Sequence, residues 1–96
     1  MKYEVFYTSQ FKKSLKLCFR RGLNLKEFTT VLDILQEKGE LPSKYRPHKL
    51  QGKYKGCWEC HINPDWLLIY IKDTEIRIIS LQRTGTHSDL FGKNRK

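Results

Sequence analysis

The sequence predicts an α+β domain, two N-terminal helices followed by a small, mostly antiparallel sheet, and three observations carry that reading. Apolar residues between Phe11 and Leu35 recur at three- and four-residue spacing, the period of a helix buried along one side. From Tyr54 onward the pattern changes to short apolar runs rich in β-branched and aromatic residues, the composition of strands. Brief turn-forming segments join those runs, which favours antiparallel neighbours with the helices packed on one face.

Each element can be justified in order. Tyr3 to Tyr7 is short, aromatic and β-branched, as a strand should be. Thr8 or Ser9 then caps a helix whose apolar positions are Phe11, Leu15, Cys18 and Phe19, and Gly22 ends it. Asn24 and Glu27 have the spacing of a capping box, with Leu23 set to staple onto Phe28. Phe28, Val31, Leu32 and Leu35 form the stripe of the second helix, which Gly39 and Pro42 stop. The short connection between the helices predicts an antiparallel hairpin, with the basic residues of the first helix off its apolar stripe. Residues 40 to 53 lack periodicity and read as a loop carrying His48. Strands are expected over Tyr54 to His61, Trp66 to Ile71 and Glu75 to Arg83. Ile62-Asn63-Pro64-Asp65 and Lys72-Asp73-Thr74 supply the turns between them. Trp66 to Ile71 is apolar at every position, so it belongs at the centre of the sheet. Thr84 to Lys96 reads as irregular, with one helical turn near Ser88-Asp89-Leu90-Phe91. Residues 1–92 make one domain, and 93–96 a basic tail.

Charge narrows the partners. The 96 residues carry 19 Lys and Arg against 10 Asp and Glu, a net +9. Residues 5 to 26 hold Lys12, Lys13, Lys16, Arg20, Arg21 and Lys26 with no carboxylate, and residues 41 to 58 hold Lys44, Arg46, Lys49, Lys53 and Lys55 with none. Two such blocks point to a polyphosphate partner. Lys12, Lys13, Lys16, Arg20, Lys49, Lys53 and Lys55 are the candidate RNA contacts. No apolar run approaches the roughly 20 residues that cross a bilayer. The N-terminus reads as a strand and not as a signal peptide, so a cytoplasmic location and no membrane partner are expected. Three cysteines, an odd number, argue against a disulfide framework.

All three histidines lie between residues 48 and 87, in Pro47-His48-Lys49, His61-Ile62-Asn63-Pro64-Asp65-Trp66 and Arg83-Thr84-Gly85-Thr86-His87. Imidazole both takes and gives a proton near neutral pH, so this grouping in a basic protein suggests acid–base chemistry on an anionic polymer. Cys57-Trp58-Glu59-Cys60-His61 matches the pattern of c-type haem attachment. On a strand, however, residues three apart face opposite ways, so the two sulfurs diverge and packing roles are expected for both. A three-histidine metal site is the rival reading of His48, His61 and His87, without any short metal-ligand spacing to support it. The segment Arg83 to Gly92 offers a cation, a histidine and an aromatic, Phe91, within nine residues. RNA cleavage needs such parts: a base for the 2′-hydroxyl, an acid for the leaving oxygen, a cation for the phosphorane and a platform for an unstacked base.

His48-x-Leu50-Gln51-Gly52, Lys55-Gly56, His61-x-x-Pro64-Asp65-Trp66-x-Leu68-Ile69-Tyr70 and Arg83-Thr84-Gly85-Thr86-His87 with Leu90-Phe91-Gly92 together resemble the YafQ branch of the RelE superfamily of toxins. The first 40 residues share only its layout. The resemblance implies a ribosome-dependent mRNA endonuclease of a type II toxin–antitoxin module, with two helices on a twisted, mostly antiparallel sheet. It implies catalysis without cofactor or metal, and His48, His61, Asp65, His87 and Phe91 fall on the family's functional residues, with Arg83 as a phosphate contact. Cys57, Trp58 and Cys60 depart from the pattern, where more polar residues are expected.

The reaction so implied is attack of a 2′-hydroxyl on the neighbouring phosphate, leaving a 2′,3′-cyclic phosphate and a 5′-hydroxyl. His87 is the candidate acid, His48 or Asp65 the base, and His61 a positioning group. Arg83 would stabilise charge and Phe91 hold a base. The ribosome, mRNA and an antitoxin encoded nearby are the expected partners, the free toxin being a monomer. Three rivals remain: a non-catalytic RNA- or ribosome-binding inhibitor, a gyrase-inhibiting toxin of the same fold, and a metal-dependent hydrolase.

Overall fold

A computed structural model describes residues 2–92; the expected basic tail, 93–96, lies outside the described residues. The chain runs β1 (Glu4–Tyr7), α1 (Ser9–Arg20), α2 (Leu25–Lys38), a 3-10 turn (Ser43–Tyr45), β2 (His48–Lys49), a second 3-10 turn (Gly52–Tyr54), β3 (Trp58–Asn63), β4 (Trp66–Asp73), β5 (Ile78–Gly85) and α3 (His87–Phe91). The strands form one sheet in the order β1-β5-β4-β3-β2. Only β1 and β5 pair in parallel; the remaining pairs are antiparallel. The α+β architecture read from the sequence is the one observed, with β4 central.

One hydroxyl starts α1 and docks it. Thr8 Oγ1 accepts from the Phe11 N–H at 3.1 Å and donates to the Leu81 carbonyl of β5 at 2.8 Å. Phe11 and Cys18 are buried beneath the helix, but Phe19, expected in the same stripe, is 43 % exposed. It follows Cys18 by one residue, a rotation of about 100° in a helix of 3.6 residues per turn. For α2, Asn24 caps through its side chain, accepting from the Lys26 N–H at 2.8 Å. Glu27 does not complete the expected box; its carboxylate accepts instead from Asn63 Nδ2 at 2.8 Å. Gly39 closes α2 with φ +72°, and a Cβ there would stand 2.3 Å from the Tyr3 ring. Glycine is needed at that position for conformation and for space alike.

The main core lies between the helices and one face of the sheet, where Phe11, Cys18, Phe28, Val31 and Leu35 meet Cys60, Ile62, Trp66, Leu68, Tyr70, Ile79 and Leu81. The opposite face is covered in part, which corrects the one-faced arrangement expected. Leu67 and Ile69 of β4 pack there against Leu90 of α3, with Leu50, Tyr54, Cys57 and Phe91 around them.

Four boundaries differ from expectation for local reasons. His48 is not in a loop: His48 and Lys49 pair with Glu59 and Trp58 as a short edge strand. β3 begins at Trp58 and not Tyr54, because residues 52–54 turn and Gly56 adopts φ +92°. β5 begins at Ile78 because Asp73 accepts from the N–H groups of Glu75 and Ile76 at 2.9 and 3.1 Å, and Arg77 then turns through φ +57°. At its other end β5 runs on through Gly85, so Thr84 is a buried strand residue and not part of an irregular tail. Among the described residues no helix is long and apolar enough to cross a membrane.

Candidate active site

Strand alternation brings several of the candidate side chains to one face. Leu67 and Ile69 point to the face that α3 covers. In the register, His61 is opposite Leu67, Glu59 opposite Ile69, Arg83 opposite Ile69 and His48 opposite Glu59. Directly paired residues share a face, so His48, Glu59, His61 and Arg83 all belong to the face that carries α3, with its His87 and Phe91.

Two clusters lie on that face. In the first, the Glu59 carboxylate stands between two imidazoles, 3.1 Å from His48 Nε2 and 3.9 Å from His61 Nε2. Glu59 is buried at 5 % exposure, with the two imidazoles beside its carboxylate. His48 Nδ1 lies 2.8 Å from the Arg46 carbonyl oxygen. His48 therefore lies between two oxygen atoms, the Glu59 carboxylate at Nε2 and the Arg46 carbonyl at Nδ1.

The second cluster is a chain of aromatic and polar contacts. Arg83 donates from Nη1 to the Tyr54 hydroxyl at 3.1 Å and from Nε to Ser14 Oγ of α1 at 3.2 Å. The Tyr54 ring meets Phe91 edge-on at 5.6 Å, and the His87 ring lies 4.8 Å from Phe91. His87 is exposed and Phe91 half-buried. Two guanidinium N–H groups are engaged by protein, which leaves others for an anion.

Asp65 joins neither cluster. It is exposed in the β3–β4 turn, its N–H donating to Asn63 Oδ1 at 2.8 Å. That places it two residues before Leu67, the partner of His61. Of the candidate RNA contacts, Lys12, Lys13, Lys16, Arg20, Lys53 and Lys55 are exposed. Lys49 is exposed too, but it pairs with Trp58, whose side chain packs with the helix-side core. Lys49 therefore faces away from its neighbour His48.

The cysteines behave as strand geometry predicts: Cys60 belongs to the helix-side core and Cys57 to the α3 side. Burial raises both thiols above the ordinary value, in keeping with packing roles. Among the described residues no group of three or more His, Cys, Asp or Glu side chains is arranged to hold a metal ion.

Four contributors escaped the sequence reading. Glu59 had a legible signal, since it precedes His61 by two on a strand and must share its face. Thr86-x-x-Asp89 is a capping box, observed with Asp89 accepting from the Thr86 N–H at 2.9 Å and Thr86 Oγ1 accepting from the Asp89 N–H at 3.2 Å. Tyr54 and Arg21 had no local signal, because their partners are distant in the chain. Arg21 reaches from the end of α1 to the Asp89 carboxylate. A Cβ on Gly85 would lie 2.8 Å from that carboxylate, so the glycine lets the pair close against the strand.

The Arg21 hydrogen bond, foremost, and those from Thr86 hold the Asp89 carboxyl below its ordinary value. A depressed folded-state value means stabilisation that is complete above the unfolded pKa, about 3.9, and lost as pH falls through the folded one. Asp89→Asn is expected to melt below wild type at pH 6, with the gap closing as pH drops from about 4 toward 2. Melting curves across that range check it; a gap that stays constant with pH would show that the carboxylate charge contributes nothing.

A family model described as the bacterial toxin of type II toxin–antitoxin system, YafQ, matches residues 3–92. The mRNA interferase toxin YafQ of Escherichia coli strain K12 is 37 % identical over 90 residues, spanning 93 % of this chain and 96 % of the relative. A putative toxin YafQ of Haemophilus influenzae is 31 % identical over 88 % of each chain. In structure, the toxin of the Escherichia coli DinJ–YafQ toxin–antitoxin complex superposes with a TM-score of 0.84 at 33 % identity, over 96 % of this chain and all of that one.

Proposed function

The chain belongs to the YafQ family of bacterial type II toxin–antitoxin toxins, and from that premise we propose that it cuts mRNA held in the ribosome. As an mRNA interferase it is an endoribonuclease. The observation that carries the mechanism is the shared sheet face, with the His48–Glu59–His61 bridge and the Arg83–Tyr54–Phe91–His87 chain on the same side.

The 2′-hydroxyl attacks the adjacent phosphorus; the 2′-oxygen–phosphorus bond forms as the bond to the 5′-oxygen breaks. A base takes the 2′ proton, and His87, exposed and braced on Phe91, returns one to the leaving 5′-oxygen. Asp65, exposed in its turn, is favoured as the base over His48, whose ring lies against the Glu59 carboxylate and the Arg46 carbonyl. His61 shares the Glu59 carboxylate and positions the substrate beside it. Arg83 meets the charge that grows on the phosphate, and Phe91 supports an unstacked base. A cognate antitoxin is the expected inhibitor, as the Escherichia coli relative is found in complex with DinJ.

The exposed basic residues of α1 contact phosphates, which position a complex without specifying sequence. Dependence on the ribosome follows from that division. Purified protein added to a translation reaction is expected to cut the translated mRNA and to leave the same RNA, free in solution, essentially whole. Equal rates on both substrates would remove ribosome dependence, and no cutting on either would remove the nuclease reading.

A further inference from the structure

β2 pairs with β3 only as far as Glu59. Beyond that point the outer edge of β3 is uncovered, and a cleft of about 450 Å³ opens between it, the first turns of α2 and the Lys44–Arg46 turn. Glu27, Thr30, Lys44, Arg46, His61 and Asn63 line it. Its size is that of sites for small ligands. Two of its residues also belong to the active site: His61 is one wall, and the Arg46 backbone carbonyl accepts from the His48 ring.

The lining has a definite hydrogen-bond character. Asn63 spends its oxygen on the Asp65 N–H and one amide proton on Glu27 Oε1. Thr30 Oγ1 donates to the Lys26 carbonyl at 2.9 Å, leaving it free to accept. On the α2 wall the unspent capacity is therefore mostly acceptor, the second carboxylate oxygen of Glu27 and the Thr30 hydroxyl, beside one remaining Asn63 proton. Lys44 and Arg46 add positive charge.

Acceptors on one wall and cations on another match the two ends of a nucleotide. We propose that this cleft is a base-reading subsite that takes the mRNA nucleotide next to the scissile one. Its phosphate lies on Lys44 and Arg46, and a base carrying an exocyclic amino group donates to Glu27. This rests on the nuclease reading and deepens it, since base edges specify where phosphates only position. Uracil, with no amino group and two carbonyls facing the Glu27 carboxylate, is disfavoured.

The test is to map cleavage ends on ribosomes translating an mRNA library randomised around the cut. Wild type is compared with Glu27→Gln, Glu27→Ala and Lys44→Ala, each first checked for a normal melting temperature. Wild type should prefer an amino-bearing base over uracil at one flanking position by about tenfold, the scale of one good base contact. Both Glu27 variants should flatten that preference to within about twofold while still cutting, and Lys44→Ala should slow cutting about equally at every sequence. Unchanged base profiles in both Glu27 variants would overturn the subsite while leaving the nuclease standing. Loss of neutralisation by the antitoxin with an unchanged profile would assign the cleft to that partner and also overturn it. A wild-type protein that cuts nothing would instead sink the nuclease reading on which the proposal rests.

Discussion

Replacing His87 by alanine is expected to lower mRNA cleavage on the ribosome by about 10²- to 10⁴-fold, the usual contribution of a positioned general acid. Melting temperature and ribosome binding should change little. His87 is exposed, and its described ring contact is with Phe91, so truncation removes little buried area. The contacts that hold α3 do not involve the imidazole: Thr86 caps the helix, Asp89 closes the box and pairs with Arg21, and Leu90 is buried against β4. Single-turnover cleavage of a stalled mRNA–ribosome complex, measured beside co-sedimentation of toxin with ribosomes, separates the effects. A variant that still cuts within about tenfold of wild type would show that another group protonates the leaving oxygen. A variant that stops translation without cutting would revive the occupancy blocker.

Periodicity made much of the fold legible, because each helix had an apolar stripe on one side and each strand a turn at its ends. The failures occurred where a local signal met a distant partner. Glu27 has the spacing to cap α2, yet it is drawn to Asn63, 36 residues away. Tyr54 looks like the first residue of a strand, but it sits in a turn and spends its hydroxyl on Leu90 and Arg83. Phe19 is apolar next to a buried position and still points to solvent, since the helix allows only about three or four of seven positions to face a core. α3, read as a single turn in an irregular tail, is what covers the second face.

The candidate site was legible as a list but not as an arrangement. His48, His61, Arg83, His87 and Phe91 share a face because β-pairing brings residues 48, 59–61 and 83 into register, and no pattern within any one of these segments encodes that. Glu59 shows what was recoverable. Its place two residues before His61 fixes its face, and the carboxylate then lies among the imidazoles on that face. The Arg21–Asp89 pair, 68 residues apart, was not recoverable without the tertiary structure. It also shows that one of the basic residues near the end of α1 is engaged with the protein itself.

The largest effect on stability is expected at Trp66, for reasons that also explain why the site depends on it. Its ring is fully buried and lies 6.4 Å from Phe28, which in turn stacks toward Phe11, so it joins β4 to both helices. Its Nε1–H donates to Thr84 Oγ1 at 2.7 Å, and that hydroxyl donates to the Leu67 carbonyl at 2.7 Å. Trp66→Ala removes a large buried ring and leaves a cavity, a loss of about 3–5 kcal/mol in a domain whose total is about 5–15 kcal/mol. At about 4–8 °C per kcal/mol for a chain of this size, the melting temperature should fall by more than about 12 °C. Trp66→Phe keeps most of the volume but deprives the buried Thr84 oxygen of its donor, so a smaller loss of about 1–3 kcal/mol is expected. Asp65 precedes Trp66 directly, and the next residue, Leu67, is paired with both His61 and Gly85. Loosening the start of β4 therefore disturbs both clusters together, and activity should fall in step with stability in both variants. Cooling is the discriminating condition: Trp66→Phe should regain cleavage at temperatures where its melting curve shows it folded, whereas His87→Ala should not. If Trp66→Phe stays inactive while folded, the indole and its bond to Thr84 act by positioning the start of β4 and not through overall stability.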